Sequence, residues 1–198
     1  REFSVMKALE SDSRLIVYVD IKSPYAFVAL EPTFAMEQRL GFQFDWRPLT
    51  LDIPSYAGSA RKEKGKVVES NRSPKKWLGI KYAYMDARRY AERQGYKLYG
   101  TEKIWDSSLA NIGILWVVRH DRDKLKEYFA AVYPLFWRRE LDIDAVAVVR
   151  QCLTSAGIVP EGSHDFCASE AWDLSDSAPS NLPPSVTHRP HAHADRAR

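Results

Sequence analysis

Sulfur is scarce in this chain. Cys152 and Cys167 are its only cysteines, fifteen positions apart among 198 residues, too few and too widely spaced for a zinc ribbon. One buried and one loose thiol are expected, rather than a redox pair. Long apolar runs are missing too: none approaches the ~20 residues of a membrane span, so no membrane association is expected. The first twenty residues carry Glu2, Lys7, Glu10, Asp12 and Arg14. No secretory leader is read there, and a cytoplasmic setting is the expectation. Charge of one sign is short as well. Lys and Arg number 29 against 26 Asp and Glu, and a net +3 lends no weight to a nucleic-acid partner. His188, His191 and His193 are ligand types for zinc or nickel, but no carboxylate or thiolate cluster accompanies them, and no metal site is expected.

What the chain does have is apolar and aromatic mass. It is 45% hydrophobic, with six Trp and ten Tyr, enough for one substantial domain or a domain with an insertion. Its most informative stretch follows the apolar run Leu15-Ile16-Val17-Tyr18-Val19. There Lys22-Ser23-Pro24-Tyr25-Ala26 opens a helix expected over 24–40. Ser23 is a good N-cap, because its oxygen can accept from an otherwise unpaired N–H of the first turn. Pro24 suits the first helical position, where its fixed φ helps and its missing N–H costs nothing. Strand, tight turn, Ser-Pro and helix is the frame in which thioredoxin-like proteins carry reactive cysteines, but here a hydroxyl and a methyl stand where two sulfurs would. Disulfide exchange needs an attacking thiolate and a resolving thiol, and this turn has neither. Any sulfur must come from a bound ligand.

The energetics of such a site are adequate. Lowering a thiol from ~8.5 by two units requires about 2.7 kcal/mol of preferential thiolate stabilisation. A helix N-terminus supplies roughly 0.3–1 kcal/mol, up to ~2 when partly buried. A hydroxyl hydrogen bond to a charged sulfur adds about 1.5–3 kcal/mol. The two together suffice. The blander reading is that Ser23 only caps the helix, since Ser-Pro opens many helices.

Further along, Phe42-Gln43-Phe44-Asp45-Trp46-Arg47 alternates with period two and reads as a half-buried strand closed by Pro48. Strand, helix, strand implies a parallel crossover. Pro32, eight positions after Pro24, predicts a kink or restart of the first helix. Residues 51–73 lose periodicity and read as a mobile loop with a short helix. Helices are then predicted over 74–94 with Gly95 as the stop, from Ser107 or Ser108 to His120, and from Asp121 or Asp123 onward with a bend at Pro134. A last one starts at Asp142 or Asp144 and ends at Gly157. From about Ala168 periodicity disappears and disorder is expected.

Val17 to Ala29, most specifically Asp20 to Ala29, together with the 42–48 strand and the segment 76–95 resemble the 2-hydroxychromene-2-carboxylate isomerase family, kin to kappa-class glutathione transferases and to the DsbA-like thioredoxin fold. The resemblance covers roughly residues 14–158. It implies an α/β fold, a thioredoxin-like βαβ core with an inserted all-helical subdomain, divided as 14–54, 55–157 and an atypical tail, 158–198. It also implies bound glutathione, with Ser23 at the ligand sulfur as the catalytic residue, Pro24 and Tyr25 beside it, and Asn71 matched to the family's asparagine near glutathione. The implied substrate is a small aromatic, unsaturated carboxylic acid, and relatives are commonly homodimers. Such folds finish with a cis-proline and a hairpin. The only Val-Pro here, Val159-Pro160, has no hairpin pattern after it, so a binding protein lacking half the site is the alternative. Arg61, Lys62, Lys64 and Lys66, with Arg72, Lys75 and Lys76, read as a solvated loop or as steering for an anionic substrate. Tyr82, Tyr84 and Tyr90 read as core or rim. Trp105-Asp106-Ser107 reads as a cap for the next helix or as a pocket edge.

Overall fold

The apolar run at 15–19 forms strand β1 (Ile16–Val19), which pairs in parallel with β2 (Asp45–Pro48), Ile16 opposite Asp45 and Val19 opposite Pro48. The computed structural model describes residues 11–158. Val159-Pro160, Cys167, the three tail histidines and nearly all of the segment 158–198 lie outside the described residues. The second strand begins three residues later than its alternation predicts. The reason lies in the bonding of Phe44: its N–H donates to Glu37 Oε1 at 2.5 Å, so the ladder starts with Asp45 N–H to the Leu15 carbonyl at 2.9 Å.

Helix α1 (Pro24–Leu40) runs between the two strands, capped by Ser23 and closed by Gly41 at φ +71°. That left-handed conformation suits glycine, which has no Cβ to clash. Of the kink or restart expected at Pro32, the restart does not occur: the helix is continuous through it. Proline leaves the carbonyl four residues earlier without its helical donor. Gln94 Nε2 supplies the replacement, donating to the Val28 carbonyl at 2.9 Å.

Residues 51–73 contain the expected short helix, α2 (Ile53–Ala57), but also a hairpin that the pattern does not predict. Strand β3 (Ala60–Glu63) pairs antiparallel with β4 (Lys66–Ser70). Lys64 and Gly65 both take positive φ at its tip, the backbone of a two-residue hairpin turn. β4 is exposed along its whole length and β3 is only partly covered, so no buried face imposes the alternation by which a strand is recognised. The block after α1 and β2 is therefore helical except for this hairpin.

Four longer helices follow: α3 (Pro74–Arg93), α4 (Ser108–Asp121), α5 (Leu125–Trp137) and α6 (Val146–Ser155). Three predicted caps work differently: the N-cap of α5 is Lys124, and Asp121 Oδ1 accepts from Asp123 N–H in a short 3-10 turn before it. Ser107 stands at the N-cap of α4 without bonding a helix N–H, and Asp106 Oδ1 takes the Ser108 N–H and hydroxyl instead. The N-cap of α6 is Ala145, while Asp142 Oδ1 accepts from Asp144 N–H. One apolar core joins the βαβ unit to the helices: Phe27 stacks on Tyr133 at 5.4 Å, and Trp46 meets Phe129 at 5.5 Å. Among the described residues no helix is long and apolar enough to cross a membrane.

Candidate functional site

The turn joining β1 to α1 is built on a buried polar floor. Ser23 N–H closes the turn on the Asp20 carbonyl at 3.0 Å, and Tyr133, entirely buried on α5, donates its hydroxyl to that same carbonyl at 3.1 Å. The Asp20 side chain, 3% exposed, accepts from Lys22 N–H, from Leu51 N–H at 2.8 Å and from Asn111 Nδ2. Asn111, also 3% exposed, faces the turn from α4. Its Oδ1 takes Ile21 N–H, and its amide donates to Thr50 and Ser107. A buried carboxylate is tolerable only when so compensated. The bonds reach the turn from α4, α5 and the loop after β2, and fix where Ser23 stands.

Ser23 itself accepts the Ala26 N–H on Oγ at 3.2 Å, as predicted for a cap. With Oγ accepting from the helix, the hydroxyl hydrogen remains to donate outward, and a chain of this kind strengthens each bond. Phe27 N–H goes to the Ser23 carbonyl and Pro24 has no N–H. Beside the turn, Lys22 is 7% exposed, and its ammonium stands 3.9 Å from Asp20 Oδ2, beyond hydrogen-bond distance. Bonds from the Ser108 hydroxyl and N–H hold the Asp106 carboxyl below the usual range, with a smaller contribution from Lys22.

A cleft of about 1060 Å³ opens over this turn. Its floor is Lys22, Ser23, Pro24 and Tyr25. Its walls come from α2, the hairpin, α3 as far as Arg88 and the segment 100–105. Lys62, Arg72, Lys81, Arg88 and Lys103 join Lys22 in lining it, against one carboxylate, Glu102, so the field inside favours anions. Trp77 and Trp105 give it flat apolar surfaces. Tyr25 lines the cleft, yet its hydroxyl donates to Asp86 on α3 at 3.0 Å; partial burial, then Asp86, push this phenol up. Tyr84 reaches the cleft with its hydroxyl 3.3 Å from Thr101 Oγ1, whereas Tyr82 and Tyr90 are exposed and outside the lining.

Ser23, Pro24 and Tyr25 are thus brought together, and Asn71 is not. Its Oδ1 accepts from Ser59 N–H at 2.7 Å at the base of the hairpin, and it is absent from the lining. Arg72, next in the chain, lines the cleft instead. Of the basic loop, Lys62 and Arg72 face the cleft, while Arg61, Lys64, Lys66, Lys75 and Lys76 do not line it. Sequence reasoning missed Asn111. Its signal was available, since an asparagine between Leu109, Ile112 and Ile114 on an otherwise apolar helix needs buried partners. Cys152 packs in the core, where burial pushes its thiol up, far from the behaviour of a reactive thiolate. Among the described residues no group of histidine, cysteine or acidic side chains is arranged to hold a metal.

Residues 14–174 match the DSBA-like thioredoxin domain family. Among solved structures, the crystal structure of a "putative protein disulfide isomerase" from Nitrosomonas europaea is similar, with a TM-score of 0.58 at 15% sequence identity, covering 82% of this chain and 74% of that one. At that identity the likeness speaks for the fold. No protein of curated function matches the chain.

Proposed function

The chain belongs to the DSBA-like thioredoxin domain family, and from that premise we propose that it is a glutathione-dependent isomerase or transferase whose thiol arrives with its ligand. The observation that carries this reading is the position of Ser23. Its hydroxyl caps α1 at the bottom of a cation-lined cleft, where the reactive sulfur of a dithiol relative would sit. Ligand pockets are commonly about 300–1,000 Å³, and this cleft has room for a tripeptide and a planar acid together.

The chemistry is reversible addition. Glutathione gives up its thiol proton to solvent on binding, and Ser23 with the α1 N-terminus holds the thiolate. The sulfur adds to the conjugated double bond of an aromatic, unsaturated carboxylic acid, and the electron pair moves onto the conjugated carbonyl. The former double bond, now single, rotates. Elimination of the thiolate restores the double bond in its new geometry, with no net oxidation. No side chain forms a covalent bond, so the protein contributes position and preorganised charge. Dithiol exchange at this turn is excluded by its composition, Ser-Pro-Tyr-Ala.

Ser23→Ala tests the reading. The ultraviolet absorbance of bound thiolate, followed against pH, is expected to titrate higher in the variant, by one to two units if a charge-assisted bond of about 1.5–3 kcal/mol is lost. Turnover should fall with it. An unchanged titration removes Ser23 from the chemistry. A competing reading, a binding protein without catalysis, is favoured by one fact: no carboxylate or imidazole among the described residues hydrogen-bonds Ser23. Glutathione at a hundredfold excess over its dissociation constant adds about 2.7 kcal/mol of stability to a protein that binds it. A raised melting temperature without turnover would select this second reading.

A further inference from the structure

Among the cations of the cleft, Arg72 alone combines partial burial, a side-chain bond to a backbone carbonyl and an aromatic neighbour. Arg88 is tied through Nε to the Leu98 carbonyl and Lys103 to Asp144 at 2.7 Å, while Glu102, the one acidic wall residue, lies 3.4 Å from Arg139. Arg72 is half-buried and has no carboxylate partner among the described residues. Its Nε donates to the Gly58 carbonyl at 2.9 Å, and its guanidinium carbon lies 5.0 Å from the centre of the Trp77 ring. Burial lowers its basicity, the sign of a cation short of compensation.

Its stem is locked from both sides. Arg72 N–H donates to Ser70 Oγ at 3.1 Å, and Asn71 is pinned to Ser59 through backbone and side chain. Gly58, at φ +73°, lets this happen: a Cβ there would lie 2.6 Å from Asn71 Oδ1 and 3.2 Å from Arg72 Cγ. With Nε spent on the backbone and one face of the group on Trp77, the Nη atoms remain. They form a planar donor pair already fixed in place, the geometry that matches a carboxylate. Little entropy is left to lose when it binds.

We infer that Arg72 is the specificity-determining residue of the cleft, taking a carboxylate of the bound ligand through its paired Nη groups while Trp77 supports the guanidinium. This rests on the functional reading above and deepens it, because the carboxylate belongs either to the aromatic acid or to glutathione. Ser23 then governs the sulfur and Arg72 the charge, two separable roles in one cleft.

The test uses two matched pairs of probes on the full chain: cinnamate against cinnamamide, and glutathione against its diester. Dissociation constants are measured for wild type, Arg72→Gln and Arg72→Lys. Wild type is expected to prefer at least one carboxylate probe over its neutral mate by about tenfold or more. Arg72→Gln should abolish that preference without weakening the neutral mate. Arg72→Lys, which keeps the charge but loses the planar fork, should recover only part of it. A lost preference confined to the cinnamate pair assigns the substrate carboxylate, and one confined to the glutathione pair assigns the peptide; either supports the inference. An unaltered preference in Arg72→Gln overturns it, as does a wild type that prefers neither carboxylate. The thiolate titration of Ser23→Ala reads the other role. If that titration is unchanged while Arg72→Gln still loses cinnamate selectivity, the sulfur chemistry fails and the carboxylate site stands.

Discussion

Beneath Ser23 the polar groups are bonded to other buried groups from distant parts of the chain; in the hairpin wall they are bonded mostly to near neighbours at the surface. Asp20 draws on residues 22, 51 and 111. Arg61 pairs with Glu63 and Glu69, all well exposed. The two regions face the same cleft and obey different physics. A buried network is costly to leave half-made, so the floor has one arrangement. A surface network contributes little, so the wall's exposed side chains are free to vary in sequence while its backbone stays held. Chemistry that needs a fixed atom belongs on the floor, and selectivity among ligands belongs on the wall.

The sharpest way to break the comparison is to remove the floor's anion. Asp20→Ala would strand the Lys22 ammonium and two backbone N–H groups in a site from which water is largely excluded, and would leave the Asn111 amide only Thr50 and Ser107 as acceptors. Deleting one partner of a buried pair typically costs 3–5 kcal/mol, a large share of the total stability of a domain. Chemical denaturation of the variant is expected to show a midpoint lowered accordingly. A loss below about 1 kcal/mol would mean that water already reaches the floor and that it is no more rigid than the wall.

A smaller effect is expected one layer out, where α3 meets α1. Pro32 frees the Val28 carbonyl and Gln94 bonds it. Gln94→Ala leaves that buried acceptor alone, at about 1–3 kcal/mol. Pro32→Ala restores a helical N–H at the right place, so in the Gln94→Ala background it should return most of the loss. The double-mutant cycle measures the coupling directly. If the two substitutions add without interaction, Gln94 is not what replaces the donor that Pro32 removes.

These two sites also mark how far the chain's own pattern reaches. The 15–19 strand, the Ser23-Pro24 helix start and the apolar faces of the long helices were legible, because burial writes a periodicity into residues that are neighbours in sequence. So were Ser23, Pro24 and Tyr25 as companions in one cleft. The continuity of α1 through Pro32 was not legible, since the group that bonds the freed carbonyl, Gln94, lies 62 positions away at the end of another helix. The late start of β2 has the same origin, a side chain from α1 taking the Phe44 N–H. Asn71 was chosen from order along the chain, but the hairpin turns its amide onto Ser59 and delivers Arg72 to the cleft. The hairpin left no trace of its own, because an exposed ribbon needs no apolar alternation.

The wall offers the mildest test. Arg61 makes the ion pairs that cross or run along β3 and β4, with side chains more than half exposed. Each such pair contributes about 0–1 kcal/mol, screened further by salt. Arg61→Ala should therefore move the thermal midpoint by no more than a degree or two, and less at high ionic strength. Lys62 on the same strand lines the cleft, and its N–H is held by the Glu102 carbonyl at 2.9 Å. The hairpin is thus anchored to the 100–105 segment by its backbone. If anchoring is in the backbone, side chains such as Arg61 are dispensable to the fold, and the wall can change its charges without moving the floor. A drop as large as that of Gln94→Ala would show the hairpin to be part of the cooperative core, and the division between a fixed floor and a free wall would be lost.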